Sequence, residues 1–251
     1  MEILTDSPQT PVFCIKRKVL IVPQISRNPP RDPSKVCYMK WTDKFAESIN
    51  RFAGERVRRE VIKGSKKLRS SSSPSKKAEW IKGAMERLDA LVDEETGKNI
   101  MIATCPHTYP KQRIQKLRSQ HKQLKSIDEL LKIMRNDRSW RGLSYYDHPV
   151  REGNVIYVTK VPYNPEAHQN ATNEHEKRLA YCHCPWVRAT IQAQEEISPI
   201  FCYCSAAWDK QLWEGILKKP VQVEVVKSLV QGDDRCTHGI HLPLDLAQNG
   251  L

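Results

Sequence analysis

Two short segments of the chain carry thiols at the same spacing. Tyr181-Cys182-His183-Cys184-Pro185-Trp186 sets two cysteines around an imidazole, and Phe201-Cys202-Tyr203-Cys204-Ser205 repeats the Cys-x-Cys pattern 20 residues on. Cys236 with His238, and Cys105 with His107, place soft or borderline donors at that spacing again. In an extended backbone residues i and i+2 face the same way, so each pair presents two donors to one side. Zinc takes four such donors in a tetrahedron with Zn–S bonds of ~2.3 Å, and two pairs on neighbouring segments would complete a site. Cys182, Cys184, Cys202, Cys204, Cys236 and His238 are therefore the candidate metal ligands. Structural zinc sites more often use Cys-x₂₋₄-Cys. Two alternatives stay open beside a metal: a reactive or ligand-facing thiol cluster, and plain core, since reduced cysteine packs like a small hydrophobe. The shared face of Cys236, His238, Ile240 and Leu242 is a core pattern.

The elements that must position these thiols are legible nearby. Pro185 follows Cys184, and proline is favoured in the first turn of a helix. Ser205 follows Cys204 and is a good capping residue, with Trp208, Leu212 and Ile216 behind it at helical spacing. The spacing predicts helices over 185–196 and 205–217, each opening at a Cys-x-Cys pair. The positive end of a helix favours a thiolate, so low-pKa thiols are expected there, with Cys204 the most functionally exposed. His183 is a candidate ligand-binding or basic group, and Trp186 and Trp208, with Trp213, are candidate apolar walls of a pocket. Cys14 and Cys37 read as structural cysteines, and His121, His148, His168 and His175 as surface histidines.

The remaining pattern defines an α+β chain with a mainly helical N-terminal half, residues 1–150, and a small mixed α/β ligand-binding domain, residues 151–251, ending in a hairpin. Residues 1–40 are proline-rich with one strand candidate, Val19–Val22. Phe45, Ile49, Phe52 and Val57 predict a helix over 42–62 that Gly54 weakens. Ile81, Ala84, Met85, Leu88, Leu91 and Val92 form a helical stripe over 76–92. Ser126-Ile127-Asp128-Glu129 is a capping box opening a further helix. Between the first two lies the basic, Ser-rich stretch 63–77, expected to be a mobile loop. Strands are expected over 154–161, 221–230 and 236–242, the last two paired across the turn Gly232-Asp233-Asp234.

Charge divides the chain the same way. Residues 1–150 hold 31 Lys/Arg against 17 Asp/Glu, and residues 151–251 hold 10 against 12, within an overall formal charge of +12. A basic half can meet nucleic acid or another polyanion, or can be a solvated helical surface. No apolar run reaches the ~18 residues of a membrane span, and no secretory pattern is present, so a cytoplasmic chain with reduced thiols is expected. Phosphate-loop, dinucleotide-fingerprint and His-Glu-x-x-His motifs are missing, which disfavours those enzyme classes.

From Phe201 to Pro243 the sequence resembles the C-terminal part of the 4-vinyl reductase domain family: a cysteine, a helix with small residues and an aromatic, a Val-rich strand, then Gly232-Asp233-Asp234-Arg235-Cys236 and a final strand. The Gly-Asp-x-x-Cys ending is also similar to that of L-2-amino-thiazoline-4-carboxylate hydrolase-like proteins, and the stretch from Gly153 through Trp186 resembles a bacterial family with the same ending. The resemblance implies an α+β small-molecule-binding fold with cysteines proposed as metal ligands, zinc among the candidates. The doubled Cys-x-Cys departs from the family pattern. Three functions are therefore expected in competition: a small-molecule- or metal-binding protein using the cysteine cluster, a thiol- or metal-dependent hydrolase of a small cyclic substrate, and a nucleic-acid-associated protein.

Overall fold

A computed structural model describes residues 34–69, 71–136, 147 and 149–244, with side chains from residue 41 onward. The expectations for Val19–Val22, Cys14, Cys37 and His148 lie outside the described residues and side chains. The N-terminal half is mainly helical. Helix α1, Ser34–Val61, is broken at Gly54, whose φ of 85° and ψ of 170° leave the helical region. Only glycine takes that backbone without strain, so the helix proceeds in two pieces. Ser73 accepts a hydrogen bond from the Lys76 amide to open α2, Pro74–Asp89, with Pro74 in its first turn. The serine-rich stretch thus includes a helix cap and a helical start, and Ser65–Lys67 form a 3₁₀ turn. Asp93 caps α3, Glu94–Thr104, in the same way. Helix α4, Lys111–Leu124, carries no acidic residue and buries only Leu117. Helix α5, Ile127–Asn136, opens on the expected cap, the Glu129 amide donating to Ser126 Oγ at 3.3 Å.

The second half is mixed. Strands β1, Val150–Glu152, and β2, Val155–Thr159, form a hairpin. Asn164 and Asn173 cap two short helices, α6, Pro165–Gln169, and α7, Glu174–Tyr181. Helix α8 runs Pro185–Gln192 and α9 runs Tyr203–Leu217. Strands β3, Gln222–Lys227, and β4, Thr237–His241, then pair antiparallel as expected. The four strands form one antiparallel sheet in the order β1-β2-β4-β3. Ile156, Ile240 and Val223 lie in one cross-strand row, and Val158, His238 and Val225 in the next. Helix α9 packs against β3 and β4.

The described residues belong to one compact unit, residues 33–251. Its hydrophobic core runs across residue 150. Trp41, Phe45 and Ile49 of α1 and Ile81, Met85 and Leu88 of α2 share a cluster with Tyr181, Cys182, Trp186, Phe201 and Cys236. Trp41 stacks on Phe45 at 4.8 Å and meets Trp186 edge-on at 5.2 Å. A second cluster joins α4 and α5 to the sheet and the far side of α9. Among the described residues no helix is long and apolar enough to cross a membrane.

Candidate functional site

The two Cys-x-Cys segments enter their helices differently. Cys182 and Cys184 are extended, and Pro185 opens α8 directly behind them, as expected. At the second segment a 3₁₀ turn, Pro199–Cys202, runs straight into α9. That helix therefore opens at Tyr203 and not at Ser205, and Cys204 lies inside its first turn. Cys202 is in the right-handed helical region, so the alternation expected of an extended pair does not hold here.

The segments nonetheless meet. Cys182, Cys184, Cys202 and Cys236 are close enough to oppose one another's ionisation. Cys184, Cys202 and Cys204 belong to part-exposed residues, but their sulfurs are enclosed by protein. Burial pushes the Cys202 thiol up to about 12 and raises Cys182 and Cys184, and neighbouring thiols add to the rise at Cys182 and Cys202. The helix-end stabilisation expected at Cys184 is present, since the Trp186 and Val187 amides lower it, but desolvation outweighs them.

A lysine that the sequence reading passed over stands among these thiols. Lys160 follows β2, its amide donating to the Cys236 carbonyl at 2.9 Å, and its ammonium donates a short hydrogen bond to Ser205 Oγ. Burial works against this ammonium, yet Cys236, Cys202, Cys182 and Asp209 hold it above the ordinary lysine range. Cys182 and Cys202, raised by burial, keep their protons at neutral pH, so their share of that support arrives only when they ionise. Asp209 itself meets His238 through Oδ2 and Nδ1 at 2.7 Å, with side chains 3% and 1% exposed. Burial holds His238 below the usual imidazole value, which assigns the Nδ1 proton to a neutral ring donating to the carboxylate. Tyr181 fastens the ring of elements, its hydroxyl donating to the Lys160 carbonyl and accepting from the Cys236 amide at 3.3 Å.

The Cys105–His107 pair has a different neighbour. Cys105 caps the end of α3, and its thiol lies close enough to that of Cys204 for each to shift the other's ionisation. It also lies 3.9 Å from His107 Nδ1. The interaction between the two thiols is the largest influence on both: Cys105 falls well below the ordinary thiol range and Cys204 rises well above it. The low-pKa thiol is therefore Cys105, not Cys204. Inside the first turn of α9, Cys204 is desolvated and serves as the proton donor of the pair, with the Trp41 indole N–H also facing it.

His183 and the two tryptophans take other places. The His183 Nε2–H donates to the Val161 carbonyl at 2.7 Å, and the ring meets Tyr163 edge-on at 5.5 Å. Trp186 is core, and Trp208 packs against the rings of His107 and Tyr109. A shallow cavity of about 390 Å³ lies beyond His183, lined by Tyr163, Asn164, Asn170, Glu176, Leu179 and Arg188. Among the described residues no three His, Cys, Asp or Glu side chains converge as a ligand set. No family model, no curated protein and no solved structure matches the chain.

Proposed function

We propose that this chain is a binding protein for a small thiol-seeking molecule, held by Cys182, Cys184, Cys202 and Cys236 around Lys160. One observation carries the reading: an ammonium enclosed among thiols. An isolated buried cation is costly, and burial normally neutralises a lysine. Here the neighbouring groups favour the charged form, and they favour it more as thiols lose protons to a ligand. Binding would thus release protons from the thiols while Lys160 balances the thiolate charge that forms. A soft metal ion would have to displace Lys160 from among the sulfurs. The resemblance of residues 201–243 to a small-molecule-binding α+β family points the same way.

Phenylarsine oxide, which bridges neighbouring thiols, serves as the probe. At a concentration of about 100 times its Kd, binding to the folded state adds ~2.7 kcal/mol, or roughly 5–11 °C in Tm for a chain of this size. We expect that rise in the reduced wild type and its loss in Cys202→Ser. An unchanged midpoint with the arsenical bound elsewhere would refute the assignment. So would one zinc per chain in protein purified without chelator and lost from Cys202→Ser.

A further inference from the structure

We infer that Cys105 and Cys204 form a second thiol site, a dithiol that a small hydroperoxide oxidises to a disulfide and a dithiol reductant restores. The inference rests on a turn, residues 105–110, that is clamped to α9 and sets Cys105 beside Cys204. Cys182 donates to the Cys184 carbonyl at 3.8 Å, Cys184 receives backbone amides, and Cys202 bonds to Ser228. Cys105 and Cys204 have each other, across 99 positions of sequence.

The pairing is built. Residues 105–110 have no regular structure, yet they are clamped to α9. Gln211 donates from Nε2 to the His107 carbonyl at 2.9 Å and accepts from the Tyr109 amide at 3.2 Å. The rings of His107 and Tyr109 lie 5.8 and 5.2 Å from Trp208. Lys44 Nζ donates to the Cys105 carbonyl at 3.2 Å, which ties the same turn to α1. Three residues of α9, namely Cys204, Trp208 and Gln211, thus hold the turn that carries Cys105. Cys105 is 5% exposed and adjoins the exposed His107, so a reactant of peroxide size has the shortest way in beside that imidazole. Its sulfur is also the more readily ionised of the two, as the attacking thiol must be.

The chemistry balances with the peroxide as oxidant. The Cys105 thiolate Sγ attacks one peroxide oxygen, the O–O bond breaks, and the departing oxygen takes a proton from solvent and leaves as water or alcohol. Cys105 is then a sulfenic acid. Cys204 Sγ attacks that sulfur, the S–O bond breaks, and hydroxide leaves with the Cys204 proton as water. The two sulfurs have lost two electrons and joined, and the peroxide has gained them. A dithiol reductant reverses the change by thiolate attack on the S–S bond and becomes a disulfide itself.

The test uses the full chain, reduced and then treated with one equivalent of hydrogen peroxide. Remaining thiols are capped and the peptides mapped by mass spectrometry before and after dithiothreitol. The expected product is a reducible cross-link between the Cys105 and Cys204 peptides, with the other described cysteines capped. In Cys204→Ser the cross-link should be lost and Cys105 trapped by dimedone as sulfenic acid; in Cys105→Ser both products should vanish. The wild-type map alone suffices if either variant fails to fold. A disulfide among Cys182, Cys184, Cys202 and Cys236 with Cys105 and Cys204 still capped would overturn the inference, as would a wild-type sulfenic acid that never resolves. Neither outcome bears on ligand binding around Lys160, because different thiols are read.

Discussion

Acidifying the protein from about pH 7 to about pH 4 should remove a calculable part of its stability through His183. Burial is the main force holding this imidazole neutral, with the Lys160 and Arg188 cations adding to it and the Val161 carbonyl opposing. Its value falls from 6.5 to about 4. An unfolded chain protonates this ring near 6.5, while the folded chain resists until about 4, so below 6.5 the unfolded state binds more protons. Stability from this residue is therefore complete above 6.5 and declines as the pH falls toward 4. The interval of ~2.5 pH units, at ~1.36 kcal/mol each, amounts to about 3 kcal/mol. Urea unfolding across the range measures it, comparing wild type with His183→Gln, whose side-chain amide can still donate to Val161. Other groups that titrate in the range, among them the buried His238 and the half-buried His121, contribute to both profiles and cancel in the difference. The wild type should lose about 3 kcal/mol more than the variant. Parallel profiles would mean that His183 is solvated in the folded chain, and the reasoning about its burial would fail.

Two further perturbations test the packing around the site. Asp209→Ala leaves the buried His238 N–H without its acceptor and should cost about 1–3 kcal/mol, roughly 2–12 °C in Tm, whereas Asp209→Asn keeps a hydrogen-bonding partner and should cost clearly less; equal losses in a thermal melt would show that the pairing is incidental. Gly215→Ala would set a methyl 2.6 Å from Ile114 Cγ2 and 3.1 Å from its Cδ1, where α9 crosses α4. The gain in helix propensity of ~1 kcal/mol should be outweighed by overpacking of ~1–3 kcal/mol. Gly97→Ala meets the tip of Ile200 at 2.6 Å, which can turn aside, and Val92 at an ordinary 3.8 Å, so urea midpoints should fall in the first variant and move little in the second.

Much of the framework could be read from spacing, and the omissions have physical causes. Helix α2 and the opening of α5 showed their stripe and cap plainly. Helix α4 did not, because it buries Leu117 alone and lacks the apolar stripe by which helices are recognised. The thiols were found by type, but Lys160 and Asp209 were not, although both occupy positions where a period calls for an apolar side chain. Lys160 continues the inward series Ile156, Val158, and Asp209 lies between the buried Ala206 and the buried Leu212 and Trp213 on α9. A charge in such a position is a stronger signal than a cysteine there, since cysteine is at home in a core. The rise of the Cys204 pKa and the fall at Cys105 depended on a contact between segments 99 residues apart, which no local spacing encodes.

The strand order has a consequence for when the thiols become enclosed. Strand β4 lies between β2 and β3, yet it is the last of the four to be synthesised. Until it is in place β2 and β3 have no common partner, and Cys236, immediately before β4, is not yet beside Lys160. Domains made N-terminus first pass through collapsed states whose interior groups stay accessible. The helices and the thiols of Cys182, Cys184 and Cys202 would thus be gathered before the wall over them closes. A ligand too large to reach the finished site could still be taken up during this interval and sealed in by the final strand. Occupancy would then depend on what the nascent chain meets, and a chain refolded without the ligand would differ lastingly from one made in its presence.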